Sequence, residues 1–519
     1  MAAKESESWR HLGARSRFKG EPAELFTQTY YKPITDRTRP LYYACSLANL
    51  AHVLMLVEEK IIDKTIGAAI LKIMLEMDRM GKDSFPFEKE KGNIYLNMES
   101  YLFERLGEAA GGWAYIGRSR LDYEAAIRRI FVRDRLLEAM GAILKLMDAI
   151  LHMVPAHCRT VMPGYSHLQQ SQPCTFGHYL LSFVDAFFND VDRFKQAFKR
   201  TNLSPLGAAA AVGESLPLNR KRVAEILGFD DFIENARDAC FSRDYALESI
   251  GCCSVFMSNL GQLATDLDTF CTREFNMIEL ADEFSGTSSF MPQKKNPLPL
   301  EAIRAYSGYF IGLLPALLGV MKTNSEEVDI IEFTPDFNLQ AFPMLIDMAT
   351  LMEEVVATMI VKKSVMKENV QSNWSAASDL AQLISHRENL PWRTAHRIVG
   401  RLIRYAMEHE IPPRQITKQM LNKAANDILG KMSKFTISAS TIKTVLNPDR
   451  FVQTRNTPGS TNPDEVNRMA ENRRFKLKRQ QKWLKSKETK ISRSCGRLRK
   501  TATAVSLKAL PPDNSEDRL

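Results

Sequence analysis

A short segment between two helical patterns, GTSSFMPQKKNPLPLE at 286–301, combines residue types that can remove a proton from carbon. A serine such as Ser288 can act as the base only if cations or backbone donors stabilise its alkoxide. Lys294 and Asn296 follow closely and can hold a carboxylate as negative charge accumulates on it, and Glu301 supplies an acid at the start of the next helix. The segment therefore indicates acid–base chemistry beside a carboxylate, although a Ser-Ser pair taken alone is more often a linker.

Five further segments interrupt the helical patterns with Gly, Pro, Ser and charged residues. They are GRSRLD (117–122), PGYSHLQQSQP (163–173), SPLGAAAAVGESLPL (204–218), NARDACFSRDY (235–245) and DRFVQTRNTPGSTNPDEV (449–466). Loops held on a rigid scaffold are common positions for catalytic and binding residues. His167, in the second of these segments, is on its own more typical of a structural histidine.

The elements that must position these segments are helices. Apolar residues alternate spacings of four and three from Leu180 to Phe198, which places them on one face of a long helix. A second stripe runs from Phe256 to Phe270, and the stretch from Ile127 to Leu151 has the same period. Strand-like alternation is almost absent. These patterns predict an all-α protein built around a bundle of long helices, with apolar stripes shared between subunits.

The composition is that of a soluble globular protein. The chain of 519 residues is 45% hydrophobic and 25% charged, and it contains no run of 18 apolar residues. The N-terminal sequence MAAKESESWRHLG lacks an apolar signal region, so we expect a cytoplasmic protein without a membrane span. The eight cysteines show no zinc-type spacing, which indicates reduced thiols in helix packing and predicts no metal site.

The net charge of +9 is concentrated near the C-terminus. From Glu471 to Lys508, fourteen Lys and Arg residues stand against two Glu residues, an excess of +12 that leaves −3 for the rest of the chain. Such a segment is typical of a solvated helix end followed by disorder, and we predict a basic disordered tail at 488–519. The alternative, a weak contact with a polyanion, stays open.

The segment SSFMPQKKNP resembles the signature of the fumarase/aspartase superfamily, and its KKNP form is most similar to the argininosuccinate lyase family. The five segments above match the same family in the same order, over about residues 10–487. The resemblance implies an all-α, three-domain fold with a long central helical bundle. It also implies a homotetramer whose active sites are each assembled from three subunits, a small dicarboxylate or amino-acid substrate, and neither metal nor organic cofactor.

The expected divisions of the chain are an N-terminal helical domain at 1–125, a central bundle at 126–368, a C-terminal helical domain at 369–487 and the basic tail at 488–519.

The resemblance also implies roles for individual residues. Ser288 matches the base that removes the Cβ proton, Lys294 matches a residue that stabilises the fumaryl carboxylate, and Glu301 matches the acid partnered with the active-site histidine, His167. The expected substrate-binding residues are Ser119, Arg120, Ser166, Arg243, Ser289, Asn296 and Gln340.

Departures from the family pattern fall on positions where substrate contacts are expected. They are Cys45, Asn49, Tyr115, Ile116, Leu121, Tyr123, Thr287, Pro335 and Pro343. Leu121 cannot form a side-chain hydrogen bond and proline cannot donate a charge-assisted one. Each polar partner lost from a buried guanidinium or carboxylate costs on the order of 1–3 kcal/mol.

We therefore predict a carbon–nitrogen lyase that releases fumarate from an N-substituted aspartate other than argininosuccinate, or that catalyses the reverse addition. Two alternatives remain. One is an authentic argininosuccinate lyase of arginine biosynthesis. The other is a catalytically silent scaffold or polyanion-binding relative, because a fold alone does not establish function.

Overall fold

The structure, a computed structural model, describes residues 22–323 and 333–508, without the side chains of residues 334, 335 and 508. The α-helices within these ranges are α1 (Glu24–Phe26), α2 (Lys32–Thr38), α3 (Tyr42–Glu58), α4 (Lys64–Ser84), α5 (Ile94–Leu106), α6 (Glu108–Gly111), α7 (Arg120–His157), α8 (Phe176–Thr201), α9 (Arg220–Ile226), α10 (Ala236–Phe241), α11 (Asp244–Cys271), α12 (Leu298–Val320), α13 (Thr334–Thr358), α14 (Lys363–Gln371), α15 (Ala377–Arg387), α16 (Trp392–Glu408), α17 (Lys418–Leu429), α18 (Ala439–Val445), α19 (Pro448–Gln453) and α20 (Pro463–Lys508).

Besides short 3-10 and π turns, the described residues also form eight short strands: β1 (Val161–Ser166), β2 (Gln169–Thr175), β3 (Leu203–Ser204), β4 (Asp231–Phe232), β5 (Ile278–Glu279), β6 (Gly286–Thr287), β7 (Lys295–Asn296) and β8 (Ile360–Val361). They form four two-stranded ribbons, in which β1 pairs with β2, β3 with β4, β5 with β8 and β6 with β7. The predicted all-α class is confirmed, because the ribbons only fasten loops to a helical scaffold.

The scaffold is a bundle in which α7, α8, α11, α12 and α13 pack against one another. Two of its members begin at side-chain caps: Ser119 and Asp122 form a capping box at the start of α7, and Thr175 accepts a hydrogen bond from the backbone of α8. Such caps supply partners for N–H groups that have none within the helix. The core of the bundle is apolar and continuous with α3, α4 and α20.

The stripe from Leu180 to Phe198 lies inside the chain rather than between subunits. All of its apolar members are buried in the single chain. Phe187 packs on Phe256 with ring centroids 5.5 Å apart, and Phe198 meets Trp483 edge-on at 5.6 Å. The expectation that this stripe is shared between subunits is therefore wrong, since α7, α11 and α20 already cover it.

Helix α20 corrects the prediction of a disordered tail. It continues without a break for 46 residues to Lys508, and only residues 509–519 of the predicted tail lie outside the described residues. Leu477, Leu484, Ile491 and Leu498 recur every seven residues and are all buried, so a narrow apolar seam runs through the charged sequence. Burying each such side chain contributes about 1.5–3 kcal/mol, which outweighs the repulsion between like charges on the other face.

A second, smaller apolar core lies between α15, α16, α17 and α18, and is separate from the core of the bundle. It falls within the predicted C-terminal domain at 369–487, but α20 belongs to the main core. The predicted boundary near 125 falls inside α7, which passes from the N-terminal helices into the bundle. The other divisions stay predictions.

Candidate active site

The segment 286–301, which resembles the family signature, folds as a small hairpin ahead of α12. Strand β6 pairs antiparallel with β7, with Gly286 opposite Asn296, so residues 288–294 form the connecting loop. A Cβ atom on Gly286 would lie 2.3 Å from Leu298 Cδ1, so only glycine fits this position without a shift. The hairpin fixes the loop at both ends and leaves most of its side chains exposed.

Ser288 is the first residue of this loop, and its hydroxyl oxygen faces two backbone donors. The N–H groups of Phe290 and Met291 donate to Ser288 Oγ at 3.3 and 2.9 Å. Donors in this arrangement stabilise negative charge on the oxygen, which is what a serine needs in order to act as a base. The neighbouring hydroxyl, Ser289, is exposed.

Lys294, Lys295 and Asn296 line an open cavity of about 770 Å³ beside the hairpin. Lys295 Nζ is held by Glu279 at 3.0 Å and by Asp282 at 2.7 Å. Lys294 is exposed and forms no ion pair with any other described residue. The two adjacent lysines are therefore not equivalent, and the ammonium group of Lys294 is the one free to bind a carboxylate.

Ser166 and His167 lie on the hairpin formed by β1 and β2. Ser166 stands opposite Gln169, so His167 and Leu168 are the two turn residues, with φ of 55° and 56°. Neither residue is suited to this left-handed conformation, which costs on the order of 1–2 kcal/mol per residue. Strain of this kind is concentrated at functional sites. Both side chains are exposed beside a cavity of about 250 Å³.

Glu301 lies in the first turn of α12, exposed, and lines an open groove of about 890 Å³. Asp266 lines both this groove and the cavity beside His167. Asp266 accepts a hydrogen bond from the Tyr179 hydroxyl at 2.9 Å, and burial raises the pKa of its carboxyl group. Within the described part of one chain, no hydrogen bond or ion pair joins Glu301 to His167.

The GRSRLD segment is fixed at the start of α7. Asp122 closes the capping box by accepting from the Ser119 N–H at 3.0 Å. Its second oxygen accepts from the N–H groups of Gly207 and Ala209, at 2.8 and 3.1 Å, which fastens the 204–218 loop to this helix. Burial raises the pKa of Asp122 to about 6. Arg120 stays exposed at the first helical position, beside the capping residue.

Arg118, which the sequence analysis did not single out, lies at the centre of a group of side chains that we call the Arg118 cluster. Its members are Asn49, Tyr95, Tyr115, Arg118 and Tyr123. Arg118 Nη1 donates to Asn49 Oδ1 at 2.8 Å. The guanidinium carbon lies 4.5, 4.9 and 5.6 Å from the ring centroids of Tyr123, Tyr115 and Tyr95.

Three members of this cluster, Asn49, Tyr115 and Tyr123, stand at positions where the sequence departs from the family pattern. A fourth departure, Cys45, accepts from the Tyr123 hydroxyl through its backbone carbonyl at 3.4 Å. These four departures therefore form one connected group of contacts around a single guanidinium. The clustering of departures was visible in the sequence, but their common partner was not.

Two titratable groups border the Arg118 cluster. Burial raises the pKa of Glu99 to about 7, although Arg118 and Arg120 act in the opposite direction. His52 is fully buried, and its Nε2 lies 3.0 Å from the Ile116 carbonyl oxygen. Burial, with a smaller effect from Arg118, lowers the pKa of His52 to about 3.

Arg243 does not line an open cleft, contrary to its predicted role. Its side chain is 1% exposed and donates from Nη1 to the carbonyl oxygens of Cys240 and Ser242, at 2.9 and 3.0 Å. Burial lowers its pKa to about 10. The residue immediately precedes α11, and its Nε and Nη2 are buried without a hydrogen-bond partner among the described residues. Gln340 lies exposed on α13, and Pro343 is exposed within the same helix.

One chain thus divides the predicted site residues among several surfaces. Lys294 and Asn296 share one cavity, Ser166 and His167 share a second, and Glu301 lines a third. Arg120 lines none of these three cavities. No group of three or more His, Cys, Asp or Glu side chains within the described ranges is arranged to hold a metal ion.

Known proteins resemble this chain over most of its length. The lyase family model matches residues 27–312, and that of the argininosuccinate lyase C-terminal region matches residues 374–453. The argininosuccinate lyase of Methanococcus maripaludis is 35% identical over 424 residues, which cover 81% of this chain and 86% of that protein. The argininosuccinate lyase of Methanocaldococcus jannaschii is 33% identical over 457 residues, 88% of this chain and 92% of that protein.

Solved structures agree with these sequence relatives. EDDS lyase in complex with formate superposes with a TM-score of 0.85 at 29% identity, over 95% of this chain and 98% of that chain. The class II fumarase of Schistosoma mansoni, at 15% identity, shares the fold with a TM-score of 0.69, over 86% of this chain and 95% of that chain. The chain therefore belongs to the argininosuccinate lyase family of the fumarase/aspartase superfamily, and it is a carbon–nitrogen lyase.

Proposed function

We propose that this lyase cleaves the C–N bond of an N-substituted aspartate by β-elimination and releases fumarate, or catalyses the reverse addition. The observation that carries the proposal is the environment of Ser288, whose Oγ accepts hydrogen bonds from two backbone N–H groups. Lys294, which forms no ion pair with another described residue, follows in the same loop. A stabilised alkoxide in the same loop as a free cation suits the removal of a proton next to a carboxylate.

In this mechanism Ser288 takes the proton from Cβ, and the electron pair moves into the carboxylate attached to that carbon. Lys294 and Asn296 bind that carboxylate and meet the growing negative charge. The electron pair then returns to form the Cα–Cβ double bond as the C–N bond breaks, and the amine leaves with the electrons of that bond. We assign His167, partnered by Glu301, to donate the proton that the leaving nitrogen takes up as the C–N bond breaks.

The site is completed between subunits of a homotetramer in this proposal. Support comes from α12, which is long and apolar enough to span a membrane but has only 22% of its most apolar window buried in the chain. Tyr309, Ile311 and Leu318 on this helix are 43%, 60% and 51% exposed. The other such stretch, Glu24–Glu58, is 83% buried. An apolar face of this extent is typical of a subunit interface. We also propose a cytoplasmic location.

Mixed tetramers test the shared site. Ser288→Ala and His167→Asn chains are each expected to have little activity. If Ser288 and His167 of one site come from different subunits, tetramers formed from both chains contain some sites with neither substitution. Co-expression should then restore fumarate release well above that of either variant. A mixture no more active than its components, with mixed tetramers demonstrated by mass, would show that one chain supplies both residues.

The substrate proposal depends on the Arg118 cluster. Tyr115, Tyr123 and Asn49 direct their contacts towards Arg118 instead of presenting free polar groups. The polar groups expected to contact the guanidinium and the carboxylates of argininosuccinate are therefore missing or already bonded. Each lost contact costs on the order of 1–3 kcal/mol of binding free energy. We propose that the leaving amine differs from arginine.

Argininosuccinate itself is the second candidate. It is favoured by the curated relatives, which are argininosuccinate lyases at 33–35% identity. The two candidates are separated by following fumarate absorbance near 240 nm with argininosuccinate and with other N-substituted aspartates. Turnover of any of them that depends on Ser288 supports the elimination. Turnover of none of them by a folded tetramer would contradict it.

A further inference from the structure

The exposed face of α20 carries a line of cations with no acidic partner among the described residues, and we call it the cationic stripe. Its members are Lys478, Lys482, Lys485, Arg493, Arg497 and Lys500. They recur at spacings of three, four or eight residues, which places them on one face of the helix. From the first to the last, the stripe extends about 33 Å at 1.5 Å per residue. All six side chains are exposed.

Several other cations of α20 are neutralised by carboxylates on neighbouring parts of the chain. Arg473 pairs with Asp185, Lys490 with Asp230 and Arg499 with Asp78, at 2.6–2.7 Å. These pairs lie beside the buried seam and hold the helix on the bundle. By contrast, the members of the cationic stripe form no ion pair or side-chain hydrogen bond with any residue in the described ranges. Unpaired like charges along one face repel each other, and an anionic partner removes that cost.

The middle of the stripe forms a shallow groove of about 790 Å³. Its lining consists of five Lys or Arg side chains and the hydroxyls of Ser486 and Thr489, without any carboxylate. Cations and hydroxyl donors together are the groups that proteins use to contact phosphate oxygens. We infer that this face of α20 binds the phosphate backbone of a nucleic acid, without reading its sequence.

Two features favour a nucleic acid over an anionic membrane surface. First, the exposed large apolar residues of α20 are Phe475 and Leu507, which lie outside the stripe, so nothing within it can insert into a bilayer. Second, the cations form a narrow line on a chain whose remainder carries −3. A narrow polyanion can follow that line, whereas a flat bilayer would also approach the acidic residues on either side.

The test is binding of the full-length protein to a fluorescent single-stranded RNA of about 20 nucleotides, followed by anisotropy at several salt concentrations. Contacts with four to six phosphates predict that the logarithm of the association constant falls against the logarithm of the salt concentration with a slope of about −3 to −4. Changing Lys482, Lys485, Arg493 and Arg497 together to Gln should weaken binding at least ~10-fold at low salt and flatten this slope. Turnover of the lyase should stay within twofold, because none of these four residues lines a cavity that contains predicted site residues.

The matched control changes Arg393, Arg397, Lys431 and Lys434 to Gln. These exposed residues of the smaller core region give the same loss of charge, and their substitution should leave RNA affinity within twofold. Equal losses of RNA affinity in both variants would show that the effect depends only on net charge, and would overturn the inference. So would tighter binding to phosphatidylserine vesicles than to RNA, or RNA binding that the first variant does not change. The Lys482→Gln/Lys485→Gln double variant, expected to show an intermediate loss, serves if the quadruple variant is unstable.

Discussion

The loop at 288–294 and the Arg118 cluster use polar groups in opposite ways. In the loop, the Ser288 hydroxyl is held by backbone donors, and Lys294 is exposed without an ion pair in the described chain. In the cluster, one guanidinium is surrounded by three tyrosine rings and bonded to Asn49. The loop matches the family and the cluster departs from it. We propose from this difference that the chemistry of elimination is retained while the recognition of the leaving group has changed.

The largest effect is expected at Ser288. Replacing Ser288 by Ala removes the base and should lower kcat at least ~100-fold, the usual scale for an acid–base group. Ser289→Ala, one residue along the same exposed loop, is the matched control and should cost less than about tenfold. Fumarate release near 240 nm measures both, and circular dichroism checks the fold. If Ser288→Ala keeps half of the wild-type rate, Ser288 is not the base.

The two arginines of the GRSRLD segment should separate stability from activity. Arg118→Met leaves Asn49 Oδ1 without its donor and removes three cation–π contacts, so the free energy of unfolding should fall by about 2–4 kcal/mol. Arg120→Met, at the exposed first position of α7, should change stability by less than about 0.5 kcal/mol and lower kcat/KM by at least ~10-fold. Urea unfolding and steady-state kinetics distinguish them. The reverse pattern would mean that the roles of the two residues are exchanged.

His167 and Leu168 share one backbone conformation and differ in chemistry. Asn tolerates positive φ, so His167→Asn keeps the turn while removing the imidazole, and kcat should fall at least ~10-fold. Leu168→Asn should leave kcat within twofold and raise stability slightly, since Leu168 is 75% exposed and strained. Similar losses in both variants would show that the turn, and not the imidazole, matters.

His52 predicts a pH dependence of stability near the Arg118 cluster. Its pKa is about 3 in the folded chain, below the value of about 6.5 in an unfolded one. Between these pH values His52 therefore binds a proton in the unfolded state but not in the folded state. The free energy of unfolding consequently falls as pH drops from about 6.5 towards 3. His52→Gln can still donate to the Ile116 carbonyl and should flatten this slope by about 1.4 kcal/mol per pH unit. An unchanged slope would show that His52 does not cause this pH dependence of stability.

The helical scaffold and the catalytic segments could be predicted from the sequence because each depends on local patterns. The period of the residues from Leu180 to Phe198 identifies a helix, and SSFMPQKKNP identifies the loop. The period does not say what covers the stripe, which is why a subunit was expected where Trp483 lies. The buried apolar residues that recur every seven positions in α20 are surrounded in the sequence by many charged residues. Disorder was therefore predicted for a segment that is a packed helix.

The relations between distant segments could not be predicted in the same way. Arg118 is separated from Asn49 by 69 positions, and nothing local to either residue shows that they meet. Arg243 was expected at the site because of its segment, but its burial depends on how α11 packs. Glu301 and His167 line different cavities of one chain, and nothing local to either residue shows this.

The claim that elimination is retained while recognition has changed is tested most directly by one comparison of kcat/KM values. Argininosuccinate and a panel of N-substituted aspartates are assayed by fumarate absorbance near 240 nm, with Ser288→Ala as the blank. Losing two or three contacts at about 1–3 kcal/mol each predicts that argininosuccinate lies roughly 10²–10⁵-fold below the best substrate. Efficient, arginine-producing cleavage of argininosuccinate, above every other member of the panel, would contradict the account.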